Sequence, residues 1–147
     1  MRIIRSVIVD ATREHVWQLL TDHDQIKRWN TDVISDEVLT EGPVGPGTRT
    51  RILIREGSKQ VAYDNEILEY EEPDRLGMRL TGGSLGEGPM TIRYTVSDRD
   101  GHLVVKFDSE WFGRGVMLKL MTPLITLMGH LNARRVMQRL KEVAEAD

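Results

Sequence analysis

The sequence predicts an α+β fold in which one sheet of seven antiparallel strands packs against a long C-terminal helix. Segments with strand character follow one another at short, regular intervals, and Gly, Pro and Asp residues separate them. After the last strand, residues 115–146 repeat apolar positions at helical spacing. A length of 147 residues without an internal repeat or linker indicates a single domain, 1–147.

The elements follow from local patterns. Residues 2–10 are rich in Val and Ile and predict the first strand. Thr12 and the spacing of Val16, Trp17 and Leu20 predict a capped helix, and a second short helix carries Ile26 and Trp29. The remaining strands are predicted at 33–40, 48–56, 60–71, 75–81, 89–98 and 102–112.

The C-terminal helix is the only element large enough to cover the sheet. At 1.5 Å per residue, positions 115–146 extend over roughly 48 Å. Met117, Met121, Leu124, Met128 and Leu131 form a stripe at steps of four and three residues. We expect this stripe to face the sheet. Pro123 is expected to kink or divide the helix.

Strand alternation defines an inner face that mixes apolar and polar side chains. Tyr63, Asn65, Tyr94 and Ser109 share that face with aliphatic and methionine residues. A plain core avoids polar groups without partners, whereas an apolar cavity with a few polar groups is typical of ligand sites. The predicted cavity residues are Ile52, Tyr63, Asn65, Met78, Met90, Tyr94, Phe107, Ser109, Trp111, Met117, Met121 and Met128.

The order of these motifs resembles the START/SRPBCC superfamily, also called the polyketide cyclase/dehydrase-like or pollen-allergen-like fold. The resemblance rests on residues 6–20, on Asp22 followed by Trp29, on the glycine-rich turn 41–48 and on the long final helix. It implies a helix-grip fold, in which a curved seven-stranded sheet wraps around the helix and two short helices lie between strands 1 and 2. Members bind lipids, sterols, polyketides or other apolar molecules, and some cyclise or dehydrate them.

Composition and residue spacing argue against several classes of function. The net charge of −3 argues against a nucleic-acid partner, and the absence of cysteine excludes thiolate chemistry. The four histidines lack the spacing of a metal site, so we expect no metal and no cofactor. Lys119 and Pro123 within the apolar stretch 115–133 argue against stable membrane insertion. The N-terminus resembles no signal peptide, so we expect a cytoplasmic protein.

Three functions stay open on these observations. The first is binding or transport of a small hydrophobic or amphipathic, lipid- or polyketide-like ligand by a monomer or homodimer. The second is a polyketide cyclase or aromatase that uses the same cavity, although no catalytic residue is evident. The third is a protein-interaction module, with Trp111 and Phe112 as its docking edge.

Overall fold

In the computed structural model, which describes residues 1–147, seven strands form one antiparallel sheet, as the sequence predicts. The strands are β1 (Arg2–Val9), β2 (Val33–Val38), β3 (Arg49–Glu56), β4 (Lys59–Glu71), β5 (Arg75–Thr81), β6 (Met90–Arg99) and β7 (His102–Trp111). Their order across the sheet is β1-β7-β6-β5-β4-β3-β2. Strands β2 to β7 therefore form a meander, and the N-terminal strand β1 pairs antiparallel with the last strand, β7.

Two short helices, α1 (Arg13–Thr21) and α2 (Ile26–Trp29), connect β1 to β2. The side chain of Thr12 caps α1 by accepting a hydrogen bond of 3.2 Å from the His15 backbone N–H. The Trp29 indole donates a 2.7 Å hydrogen bond to the carbonyl of Leu19. This bond joins α2 to the end of α1 and fixes the position of the connection to β2.

The last element is a single helix, α3 (Val116–Ala146), which Pro123 does not divide. It packs along β1, and Gly129 lies against the side chain of Ile3. A Cβ atom at position 129 would collide with the Cδ1 atom of Ile3, so a larger residue would require the end of that side chain to move. No helix of the structure is both long enough and apolar enough to cross a membrane.

The expected orientation of the methionine and leucine stripe is wrong. Met117, Met121, Leu124, Met128 and Leu131 point away from the sheet and are 46–72% exposed. The opposite side of α3 faces inward, because Gly129 and Ala133 let the backbone approach the sheet closely while Met137 and Leu140 fill the space beyond. Residues on opposite sides of a helix cannot both face the sheet.

The packed core lies at one end of the molecule, where α1, α2 and the second half of α3 cover the sheet. Its 16 buried residues are Val9, Val16, Trp17, Leu19, Leu20, Trp29, Ile67, Leu76, Tyr94, Val96, Leu103, Val105, Met137, Leu140, Val143 and Ala144. Trp17 packs edge-on against Tyr70, and Trp29 packs edge-on against Tyr94. Tyr94 thus lies at the boundary between this core and a cavity between the sheet and α3.

Candidate ligand-binding cavity

A cavity of about 410 Å³ lies between the inner face of the sheet and α3. Its volume is within the range of small-molecule sites. Twelve of the 19 lining residues are hydrophobic; the full set is Ile3, Asn30, Asp32, Ile54, Arg55, Glu56, Tyr63, Leu80, Leu85, Met90, Ile92, Tyr94, Phe107, Ser109, Gly129, Asn132, Ala133, Val136 and Met137. The cavity therefore has mostly apolar walls with a limited set of polar groups.

Five of the predicted residues, Tyr63, Met90, Tyr94, Phe107 and Ser109, line this cavity. They come together because strand alternation places them all on the inner face. The register puts Tyr94 opposite Phe107 and Ile92 opposite Ser109 on neighbouring strands. The rings of Tyr94 and Phe107 are 5.5 Å apart.

The other predicted residues of the sheet lie elsewhere on the same face. Ile52, Asn65 and Met78 line a separate cavity of about 50 Å³ below α1 and α2. Trp111 lines a hollow of about 70 Å³ beside the start of α3. Met117, Met121 and Met128 line none of these spaces, since they lie on the outer side of the helix.

Two hydroxyl groups of largely buried residues face the main cavity. Tyr94 and Ser109 are 7% and 5% exposed, and the structure gives neither side chain a hydrogen-bond partner within the protein. Burial raises the pKa of Tyr94, so its hydroxyl keeps its proton and is a hydrogen-bond donor at neutral pH. Unpartnered hydroxyls in an apolar wall are the polar groups that orient a ligand.

A carboxylate, Glu56, lines the cavity together with Tyr63. The hydroxyls of Tyr63 and Ser84 both donate to Glu56, the latter over 2.5 Å. Burial and the bond to Glu56 raise the pKa of Tyr63. The ring of Tyr63 also packs directly against Gly83, where a Cβ atom would collide with it. The loop after β5 is thereby held against the wall of the cavity.

Glu56 was not among the predicted site residues. Ile52 is predicted to face the cavity from β3, and Glu56 has the same parity on that strand. Extending the alternation from Ile52 to the end of β3 would have found it.

A second polar group lies where α3 meets the connection between α2 and β2. Arg135 donates hydrogen bonds to Asp32, over 2.5 Å, and to Asn132, over 2.9 Å. Asp32 and Asn132 line the cavity, and no local pattern singled out either residue. Only the packing of α3 beside this connection brings them together.

The smaller cavity is lined by a partly buried pair, His23 and Asp36, which is an ion pair when the histidine is protonated. His23 Nδ1 lies 2.6 Å from Asp36 Oδ2, and this hydrogen bond raises the pKa of His23. His23 Nε2, Asp36 Oδ1 and Asn65 Oδ1 are buried without a partner. A space of about 50 Å³ beside these unpartnered polar atoms suits ordered water rather than an organic ligand.

A curved antiparallel sheet that holds an apolar cavity against a C-terminal helix defines the helix-grip class of proteins. The chain belongs to the family described as polyketide cyclase/dehydrase and lipid transport, whose sequence profile matches residues 1–145. The family confirms the resemblance found in the sequence. A comparison with curated proteins gives no match.

Solved structures share the fold over nearly their whole length. TTHA0849 from Thermus thermophilus superposes with a TM-score of 0.79 at 18% identity, covering 99% of this chain and 98% of its own. Ara h 8.0201 gives 0.73 at 13% identity, with 100% and 99% covered. The Zhui aromatase/cyclase from Streptomyces sp. R1128 gives 0.74 at 15% identity, with 99% and 93% covered. At these identities the comparisons establish the fold alone.

Proposed function

We propose that this protein binds and carries a small amphipathic molecule in the main cavity. The observation that supports this most directly is the unpartnered pair of hydroxyls, Tyr94 and Ser109, within a mostly apolar space of about 410 Å³. A ligand that fills the cavity buries these hydroxyls, which is unfavourable unless the ligand offers them a hydrogen bond. A ligand oxygen beside these groups would satisfy them while its apolar body fills the remaining volume.

The charged groups in the cavity lining suggest that the ligand has a second polar group. Arg55 and Glu56, at the end of β3, and Asp32 add charged groups to the lining, and Asn132 contributes an amide. A molecule with an apolar body, an acceptor oxygen such as a carbonyl, and a second polar group fits this pattern. The family's description, which includes both polyketide cyclases and lipid transport, supports a ligand of this general kind.

Native mass spectrometry of the purified protein tests occupancy of the cavity. We expect a co-purified small molecule on the native chain and its loss in Val136→Phe, which places a ring in the cavity. Leu127→Phe adds the same volume on the outer, exposed side of the same helix and is the matched control. Equal occupancy in all three proteins would show that the ligand binds elsewhere.

Binding of prodan, an apolar naphthyl ketone, tests the role of the hydroxyls. Its emission shifts to the red when its carbonyl accepts a hydrogen bond, so we expect a blue shift in Tyr94→Phe and Ser109→Ala. We also expect about two- to tenfold weaker binding for each lost hydrogen bond. Tyr70→Phe, which removes a tyrosine hydroxyl outside the main cavity, is the control. Unchanged emission and affinity in all variants would exclude the two hydroxyls from the site.

A cyclase or aromatase is the second candidate, and Glu56 is the observation that favours it. Enolisation of a ketone requires a base beside the substrate, and Glu56 is a carboxylate in the lining. Both of its oxygens already accept hydrogen bonds, from Tyr63 and Ser84. Faster cyclisation of a linear polyketide thioester, lost in Glu56→Gln and kept in Leu127→Phe, would place this function first.

A further inference from the structure

The first half of α3 exposes an unusual amount of apolar surface. We call its eight large apolar side chains the outer stripe: Val116, Met117, Leu120, Met121, Leu124, Leu127, Met128 and Leu131, which are 46–77% exposed. At 100° per residue these positions fall within one arc of roughly 140°, directed away from the sheet. The arc extends for roughly 24 Å along the helix axis.

Such a continuous face is rare on the free surface of a soluble domain and indicates a contact with a partner. It differs from the proposed ligand site, because the cavity is lined by the opposite side of α3, from Gly129 to Met137. The outer stripe therefore needs an occupant of its own.

The charges around the outer stripe identify the kind of occupant. Residues 111–141 contain six Lys and Arg but none of the chain's 23 Asp and Glu. Arg114, Lys119 and Arg134 are exposed and make no ion pair in the structure. They lie before, beside and after the outer stripe. A second copy of the chain in antiparallel register about Leu124 would place Arg114 opposite Arg134, which is repulsive.

We propose that the outer stripe docks on the surface of an anionic lipid bilayer, with α3 lying in the plane of the membrane. An apolar helical face beside basic residues is the pattern of interfacial helices. The apolar side chains enter the boundary between headgroups and acyl chains, and the unpaired cations contact the anionic headgroups. Because α3 is not apolar on all sides, it lies on the bilayer rather than across it.

Docking would bring the proposed ligand site close to the lipid. Gly129, within the segment that carries the outer stripe, and Asn132 and Ala133, directly after it, belong to the cavity wall. The proposal itself does not depend on what the cavity holds. It concerns the opposite side of the helix and is tested without a cavity ligand.

Co-sedimentation of the full chain with vesicles tests the proposal. We expect binding to phosphatidylcholine vesicles that contain about a quarter phosphatidylserine, and much weaker binding to pure phosphatidylcholine. Binding should weaken as the salt concentration rises from low to about 0.5 M, because salt screens the attraction. Equal binding to both vesicle types, or no binding to either, would overturn the proposal.

Two pairs of substitutions separate the apolar and the charged parts of the surface. Leu120→Gln with Leu127→Gln should abolish binding, whereas Ile8→Thr with Leu68→Gln, at apolar residues of the strands that are 53% and 45% exposed, should preserve it. Lys119→Gln with Arg134→Gln should weaken binding about thirty-fold, from roughly fivefold per cation. Lys59→Gln with Arg99→Gln removes two exposed, unpaired cations from strand ends and should have no effect.

A second copy of the chain, the other possible occupant of the outer stripe, would give a different result. Sedimentation velocity should show a monomer at the concentrations used for the vesicles. A dimer that the double leucine variant dissolves, without vesicle binding by the native chain, would assign the outer stripe to a second copy and overturn the proposal. Val136→Phe, which blocks the cavity, should still bind vesicles, so failure of the proposed ligand function is distinguished from failure of docking.

Discussion

At the residue scale, polar side chains on the inner face of the sheet differ in whether they bond to a neighbouring strand. Asn65 donates a 3.2 Å hydrogen bond to Thr50, its direct neighbour across β3 and β4, although its Oδ1 atom is buried without a partner. Tyr94 and Ser109 lie on the same face but face the main cavity without a partner. Identical strand parity therefore leads to a structural role in one case and to a candidate binding role in the other.

The ion pair between His23 and Asp36 makes stability depend on pH. Its hydrogen bond to Asp36 raises the pKa of folded His23 above the unfolded value of about 6.5. The protonated form is thus favoured by folding. This contribution to the free energy of unfolding is complete below about pH 6.5 and disappears as the pH rises through the folded pKa.

We predict that the stability advantage of the native chain over His23→Gln decreases between about pH 5.5 and 8.5. Chemical denaturation across this range measures the difference. NMR titration of His23 should give a midpoint above about 6.5, and a lower midpoint in Asp36→Asn. A pH-independent difference would show that His23 contributes through packing alone.

At the scale of elements, α3 consists of two halves with different roles. In the second half, Met137, Leu140 and Val143 belong to the core, and the outward side is polar or basic. In the first half the large apolar residues face outward and Gly129 touches the sheet. The second half therefore contributes to folding, whereas the outer stripe of the first half leaves its apolar surface available for contact.

Truncation of one leucine in each half tests this division. Leu140→Ala, at a residue that is 0% exposed, should lower the free energy of unfolding by about 2–5 kcal/mol, through lost burial and a cavity. Leu124→Ala removes the same atoms at a 55% exposed site and should cost less than about 1 kcal/mol. Urea denaturation of both variants measures the two values, and similar losses would mean that the outer stripe is buried in solution.

At the scale of the whole molecule, the packed core lies at one end of the protein, which we call the solid end. The main cavity lies toward the other, which we call the hollow end. The 16-residue core fills the space under α1, α2 and the second half of α3, while the main cavity occupies the space beneath the middle of α3. Ion pairs on the outer face of the sheet, such as those between Arg51 and Asp64 and between Arg79 and Glu66, are exposed and contribute little. Stability is therefore concentrated at the solid end.

The rate of amide hydrogen exchange should differ between the solid end and the hollow end. Amides of β7 near Val105 and of α3 after Ala133 should exchange most slowly, because their exchange requires global unfolding. Amides of α3 between residues 118 and 128 should exchange faster through local opening, since few buried contacts hold that half. Uniform protection along α3 would contradict the division into a solid and a hollow end.

Local patterns were sufficient for most of the fold. Turn residues and strand alternation predicted all seven strands, and Thr12 marked the start of α1. Alternation also assigned Tyr63, Met90, Tyr94, Phe107 and Ser109 to the face that holds the cavity. It failed to separate them from Ile52, Asn65 and Met78, because residues of equal parity share a face but not a position along it.

The strands, the helices and the inner face of the sheet follow from local sequence, because they depend on backbone preferences and on periods of two and 3.6 residues. The side of α3 that meets the sheet depends on tertiary packing. A helical period reveals that an apolar stripe exists but not what it contacts, and here the small residues Gly129 and Ala133 permit the closer approach. The same packing placed Glu56, Asp32 and Asn132 around one cavity and left the outer stripe exposed, since these positions depend on contacts between segments far apart in the chain.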